Sequence, residues 1–185
     1  MLQESIIQYL VSNIEPIRDL NGDKSYRCSV RLKDDLQLPC VVMKNSSSML
    51  DHVVDAFRDL RREGISDSSA GHQFEQYLAM LRTYVLGGNR ISWHHIAGIG
   101  PSAHAIPMEK IRQIKTEPNM TWIAFNGVMD DGHSFAFGTP FATEFFEMPK
   151  GYDASRIVEI TPLADRSAHF YREKTYFECY IDDLP

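Results

Sequence analysis

At 185 residues, 43% hydrophobic and 24% charged, the chain has the composition of one soluble globular domain, which excludes disordered, collagen-like and repeat architectures. Its formal net charge of −6 speaks against direct nucleic-acid binding, because the one dense basic run, RDLRRE from Arg58 to Glu63, reads as the solvated face of a helix. No apolar run approaches the roughly 18 residues of a membrane span, and the opening MLQESIIQYL has an early glutamate and no basic leader, so a cytoplasmic protein without membrane contact is expected.

In chain order, Leu2, Ile6, Leu10 and Ile14 recur every four positions and predict an amphipathic helix that Glu15-Pro16 ends. SYRCSVRLK then alternates Tyr26, Cys28, Val30 and Leu32 with Arg27, Ser29, Arg31 and Lys33, a strand with one wet face. LQLPCVVM predicts a second strand, with Pro39 at a sheet edge or a break. A helix capped by Ser48 and Asp51 follows, with Leu50, Val53, Val54, Phe57 and Leu60 as its apolar stripe and Gly64 near its end. The next helix carries Phe74, Tyr77, Leu78, Leu81 and Val85 and stops at Gly87-Gly88.

The second half is mostly strand. ISWHHIAG reads as one, Gly98 to Ser102 as a loop, and PMEKIRQIK as a helix with Pro107 at its first position. In TWIAFNGVMDDGHSFAFGTPF, Asp131-Gly132 between two alternating runs predicts a two-residue type I′ hairpin. That turn sets Asp130 opposite His133 and Val128 opposite Phe135, and puts Trp122, Asn126 and Val128 on the apolar face. RIVEITP and TYFECYI predict the last strands. The expected fold is therefore a single α+β domain over residues 1–185, helix-rich first and strand-rich later, with an antiparallel or mixed sheet packed against several amphipathic helices. Cys28, Cys40 and Cys179, an odd number at wide spacing in apolar strands, suit reduced, buried thiols rather than disulfides or zinc ligands.

The residues that invite chemical readings are His94, His95, His104, His133, Asp130 and Glu144. They form the candidate catalytic set of a metal-assisted hydrolase, although no HExxH, CxxC or DxDxDG spacing supports a metal site. On a strand His94 and His95 point to opposite faces and do not share one ion. Gly98-Ile99-Gly100 runs into Pro101 and lacks a Lys-Ser/Thr pair, so it is no phosphate loop. Ser102 and His104 lie two apart without a GxSxG setting, and Glu144 and Glu147 share a side only on a helix. No metal and no cofactor is expected.

Asn126 is a polar group on a predicted apolar face, either tying down a loop or waiting in a pocket with Trp122 for a small ligand. The last third is rich in aromatic residues, beyond what one sheet face buries. Trp122, Asn126, Phe141, Phe145, Phe146 and Tyr152 are accordingly the expected binding residues. The leading functional expectation is a non-enzymatic domain that binds a protein partner or a second copy of itself, as an accessory, inhibitor or immunity-type protein does. A hydrolase and a small-ligand sensor are the alternatives.

Overall fold

The computed structural model describes residues 1–18, 22–47, 89–114, 123–140, 144–163 and 169–185. The two helices expected between Ser48 and Gly88, together with Trp122 and Phe141, lie outside the described residues.

The opening helix is present as α1, Gln3–Asn13, which buries Ile6 and Leu10 and leaves Val11 exposed. Among the described residues ten strands follow: β1 Pro16–Arg18, β2 Lys24–Leu32, β3 Gln37–Asn45, β4 Arg90–Ile91, β5 Ile96–Pro101, β6 Ile123–Met129, β7 Ser134–Thr139, β8 Ile157–Pro162, β9 Tyr171–Arg172 and β10 Phe177–Ile181. They make two mixed sheets, one ordered β1-β2-β3-β10-β4 with β5 also paired to β2, the other ordered β8-β6-β7-β9. Among the described residues strands account for 46% and helical turns for 18%, so the structure is mostly β and corrects the expected sheet under several amphipathic helices. The predicted helix after Pro107 shrinks to one turn, α2, Met108–Ile111. Beyond it Gln113 N bonds to Lys110 O at 2.9 Å and Ile114 N to Ile111 O at 3.0 Å, the tighter i→i+3 pattern that ends a helix. Within the described residues of the first half, β1 to β3 already form half of the first sheet.

One face of the first sheet is apolar: Tyr26, Cys28, Val30, Val41, Met43, Cys179 and Ile181 pack beneath Ile6 and Leu10 of α1. β3 is not an edge strand; it lies between β2 and β10. The β2–β3 register shifts between Cys28, opposite Val41, and Val30, opposite Leu38, so Pro39 and Cys40 together face Ser29. Proline is tolerated at such a bulge because no ladder donor is required of it. The second sheet buries Phe125, Met129, Phe137, Phe146, Ile157 and Ile160 in its own core.

The β6–β7 hairpin forms, with a register one residue from the expected one. Met129 N bonds to His133 O at 2.8 Å and Gly132 N to Met129 O at 3.0 Å, so the loop has three residues, Asp130 to Gly132. A type I′ turn needs positive φ at both central residues, yet in this turn only Gly132 has it, at 87°. The chain has instead taken the three-residue loop that ends in a left-handed glycine. Phe125 therefore faces Phe137 and Gly127 faces Phe135, where Asn126 and Val128 were expected. Gly127 is required by this packing, because a Cβ there would lie 2.9 Å from Phe137 Cε2.

All three thiols are free and buried. Burial raises Cys40 to about 11 and Cys179 to about 12, and pushes Cys28 up as well, with Cys179 adding to the effect there. Unfolded thiols ionise near 8.5, so the folded chain keeps protons that the unfolded chain releases. This contribution to stability is complete below about pH 8.5 and is lost as pH rises toward the folded values. The urea midpoint is expected to fall across that alkaline window, and a thiol-disulfide exchange reagent at pH 8 should find no reactive cysteine before unfolding. Rapid labelling of the native protein would contradict the packing.

Candidate functional site

Among the described residues, the candidate histidines do not gather as metal ligands. His94 and His95 sit on a single 3-10 turn, Trp93–His95, rather than on the expected strand, and both are exposed. Ser92 Oγ starts that turn by accepting from His94 N at 3.4 Å, and His94 lies against the Trp93 ring. The following glycines belong to β5, opposite Arg31 and Ser29, and not to a loop. Ser102 Oγ donates to Pro39 O at 2.6 Å, while His104 Nδ1 is 2.9 Å from Phe146 O. Both side chains are thus engaged with backbone, Ser102 Oγ also accepting from His104 N at 3.2 Å, and the hydroxyl and the imidazole do not pair. Glu144 and Glu147 lie on an irregular segment that is neither helix nor regular strand; Glu144 is half-buried and Glu147 exposed. Among the described residues no three His, Cys, Asp or Glu side chains come together as metal ligands.

Asn126 is displaced by the register. It is half-buried on the face away from Phe125, and its Nδ2 donates to Pro162 O at 3.4 Å. Phe145 and Phe146 are fully buried, Phe146 edge-on to Phe125 and Phe137, and Phe145 beside Tyr176. They act as core.

Tyr152, in contrast, joins a cluster at the hairpin end of the second sheet. Phe135 meets Tyr152 edge to face at 5.0 Å and Tyr171 at 5.8 Å, with His133 stacked on Phe135 at 6.3 Å and His169 edge-on to Tyr171 at 5.8 Å. Phe135, Tyr152 and Tyr171 are half-buried, and His133 and His169 are exposed. The charges beside these rings are paired with one another, two carboxylates on one guanidinium. Arg156 donates to Asp130 Oδ1 at 2.6 and 2.9 Å and to Asp131 Oδ2 at 3.1 Å, and lies 4.6 Å over the Tyr152 ring. Asp131 accepts from His133 N at 3.1 Å and from Tyr152 Oη at 2.8 Å. Those hydrogen bonds, the backbone one foremost, hold the Asp131 carboxyl well below the usual carboxylate range. Asp130, a candidate ligand or base by sequence, is committed to Arg156. Arg156 itself was missed, since one arginine at a strand entrance has no local signature.

A second polar region lies on the other face of the first sheet. Strand pairing puts Arg27, Val42, Glu178 and Arg90 in one row, and Ser25, Lys44 and Tyr180 in the next. Arg27 was expected on a wet face, but it is only 5% exposed. Its NH2 donates to Ile106 O at 2.7 Å and its NH1 to Glu144 O at 3.1 Å. Burial lowers Arg27 to about 10, against the charges of Glu144 and Glu15, which raise it. Lys44 Nζ pairs with Glu178 Oε1 at 2.5 Å; burial disfavours the ammonium, but the hydrogen bond and charge of Glu178 outweigh that and raise its pKa. A charge inside an otherwise apolar strand run, as in VVMKN and YFECYI, was the signal that could have revealed this pair. A cleft of about 220 Å³ opens beside this face, with Ile17, Val42, Lys44, Met108, Ile111 and Glu144 in its lining.

No family model matches the chain, and no curated protein or solved structure shows significant similarity to it. No described helix is long and apolar enough to cross a membrane.

Proposed function

We propose that the chain is a non-enzymatic domain that binds another protein or a second copy of itself, in the cytoplasm, as an accessory, inhibitor or immunity-type protein does. The observation that carries this reading is the ring cluster His133, Phe135, Tyr152, Tyr171 and His169. It extends the core of the second sheet to the surface as half-buried aromatic area, the material that interface centres favour. The neighbouring Asp130 and Asp131 are both paired with Arg156, so a partner covering the cluster meets one net negative charge held in an ion-pair group.

The test is a photoactivatable residue in place of His133, whose side chain is 67% exposed. It is expected to cross-link one defined protein, or a second copy of the chain, in cells. The same probe at Val158, 49% exposed on β8, is expected to give no defined adduct. A clean monomer in sedimentation together with no adduct at position 133 sinks the reading.

A further inference from the structure

We infer that the ring cluster takes a basic segment of another protein, an arginine flanked by apolar residues, and not a second copy of this chain. This rests on the reading of the cluster as a binding surface and adds the chemistry of its occupant. Phe135, Tyr152 and Tyr171 are half-buried, so part of each ring still meets solvent, a surface that suits methylene stems and apolar side chains.

Charge decides between the two occupants. Asp130 and Asp131 share the one guanidinium of Arg156, which leaves a surplus negative charge beside the rings. Next to Tyr152 in the chain, exposed Lys150 and half-buried Asp153 offset each other, and Asp153 accepts from Ser155 N and Oγ. Arg172 alternates with Tyr171 on β9 and so projects from the opposite face of the sheet. Two copies joined by this surface would bring both surplus carboxylates into one interface, on chains that each carry a net charge of −6, so like charges oppose that occupant. Arg156 shows how the surface holds a guanidinium: two of its nitrogens bond to Asp130 Oδ1 at 2.6 and 2.9 Å, and it lies 4.6 Å over the Tyr152 ring. Among the described residues both bonds to the Asp130 carboxylate end on Oδ1, so Oδ2 keeps its acceptor capacity, on a side chain that is 49% exposed. A partner's guanidinium bonded there makes a charge-assisted hydrogen bond while its stem and apolar neighbours cover the rings.

The experiment titrates the blocked tripeptide acetyl-Leu-Arg-Leu-amide into the intact chain at pH 8, where unperturbed imidazoles are neutral, and follows the amide resonances of His133 and Tyr152. The comparisons are the citrulline peptide, of nearly the same shape without the charge, and the glutamate peptide. The arginine peptide is expected to saturate at millimolar concentration, about fivefold to tenfold tighter than the citrulline peptide and with the glutamate peptide weakest, since one charge-assisted hydrogen bond separates the first two. Asp130→Asn should erase the preference for arginine over citrulline at a nearly unchanged melting temperature, because an exposed ion pair contributes little to stability. Glu4→Gln, which removes one exposed charge from α1, should keep that preference. No saturable shift with the arginine peptide, equal affinity for arginine and citrulline, or a preference that survives Asp130→Asn would each overturn the inference. Equal affinity together with an adduct at position 133 removes the basic partner and leaves the binding surface standing, whereas no peptide binding and no adduct removes both.

Discussion

Arg27→Ala is expected to lower the unfolding free energy by roughly 2–5 kcal/mol, because two carbonyl oxygens lose a charged donor in a buried setting. The side chain is the link between the first sheet and the segments that cross its polar face, through Ile106 O at 2.7 Å and Glu144 O at 3.1 Å. Arg27 is 5% exposed, so the bond to Ile106 O is lost in a buried setting and that to Glu144 O in a part-buried one. Arg27→Lys keeps the charge but not the fork, reaches one of the two oxygens, and should fall between wild type and alanine. Urea unfolding at neutral pH reads the series. An alanine variant as stable as wild type would show that the crossing segments hold their place without this link.

Phe137→Ala is expected to cost roughly 3–5 kcal/mol, the range for deleting a large aromatic side chain from a core. Phe137 is fully buried, stacked on Phe125 at 5.4 Å and edge-on to Phe146 at 5.8 Å. It also fills the space that Gly127 leaves open, so its loss creates a cavity that the rigid strand pair closes poorly. Since its ring also meets Tyr171 at 5.8 Å, the surface rings should loosen with the core, and the cross-link from position 133 should weaken along with stability. Phe137→Leu, which keeps most of the volume, should lose clearly less. Thermal unfolding and near-ultraviolet circular dichroism measure both effects, and equal losses for alanine and leucine would point to a specific aromatic contact rather than a filled volume.

The elements with strong local periodicity were legible in the sequence: α1, the alternation of β2, the existence of the β6–β7 hairpin, and strands β8 and β10. What was not legible depended on a single turn or on distant partners. Asp-Gly suits both a two-residue and a three-residue loop, and the difference of one residue exchanges the two faces of β6 relative to β7, which moved Asn126 out of the core and Gly127 into it. His94 and His95 were read on a strand because Ile91, Trp93 and Ile96 look strand-like; the Ser92 side chain instead caps a short turn. The burial of Arg27 depends on Ile106 and Glu144, which lie 79 and 117 positions away. The ring cluster likewise draws on three separate segments, so an aromatic-rich composition hinted at it without locating it. Of the described residues among those expected to bind, Asn126, Phe145, Phe146 and Tyr152, only Tyr152 belongs to that cluster.

β10 lies between β3 and β4 and runs parallel to both. Phe177 follows Asn45 by 132 positions (177 − 45), so at synthesis rates of about 5–20 residues per second β3 waits roughly 7–26 s for this neighbour. Throughout that interval the edge of β3 that β10 will occupy is an open template for strands of other chains. Recovery of folded protein should therefore depend on how fast the chain is made and on what shields that edge meanwhile, so that slower expression at lower temperature or a holding chaperone should act on yield more strongly than on the stability of the finished molecule.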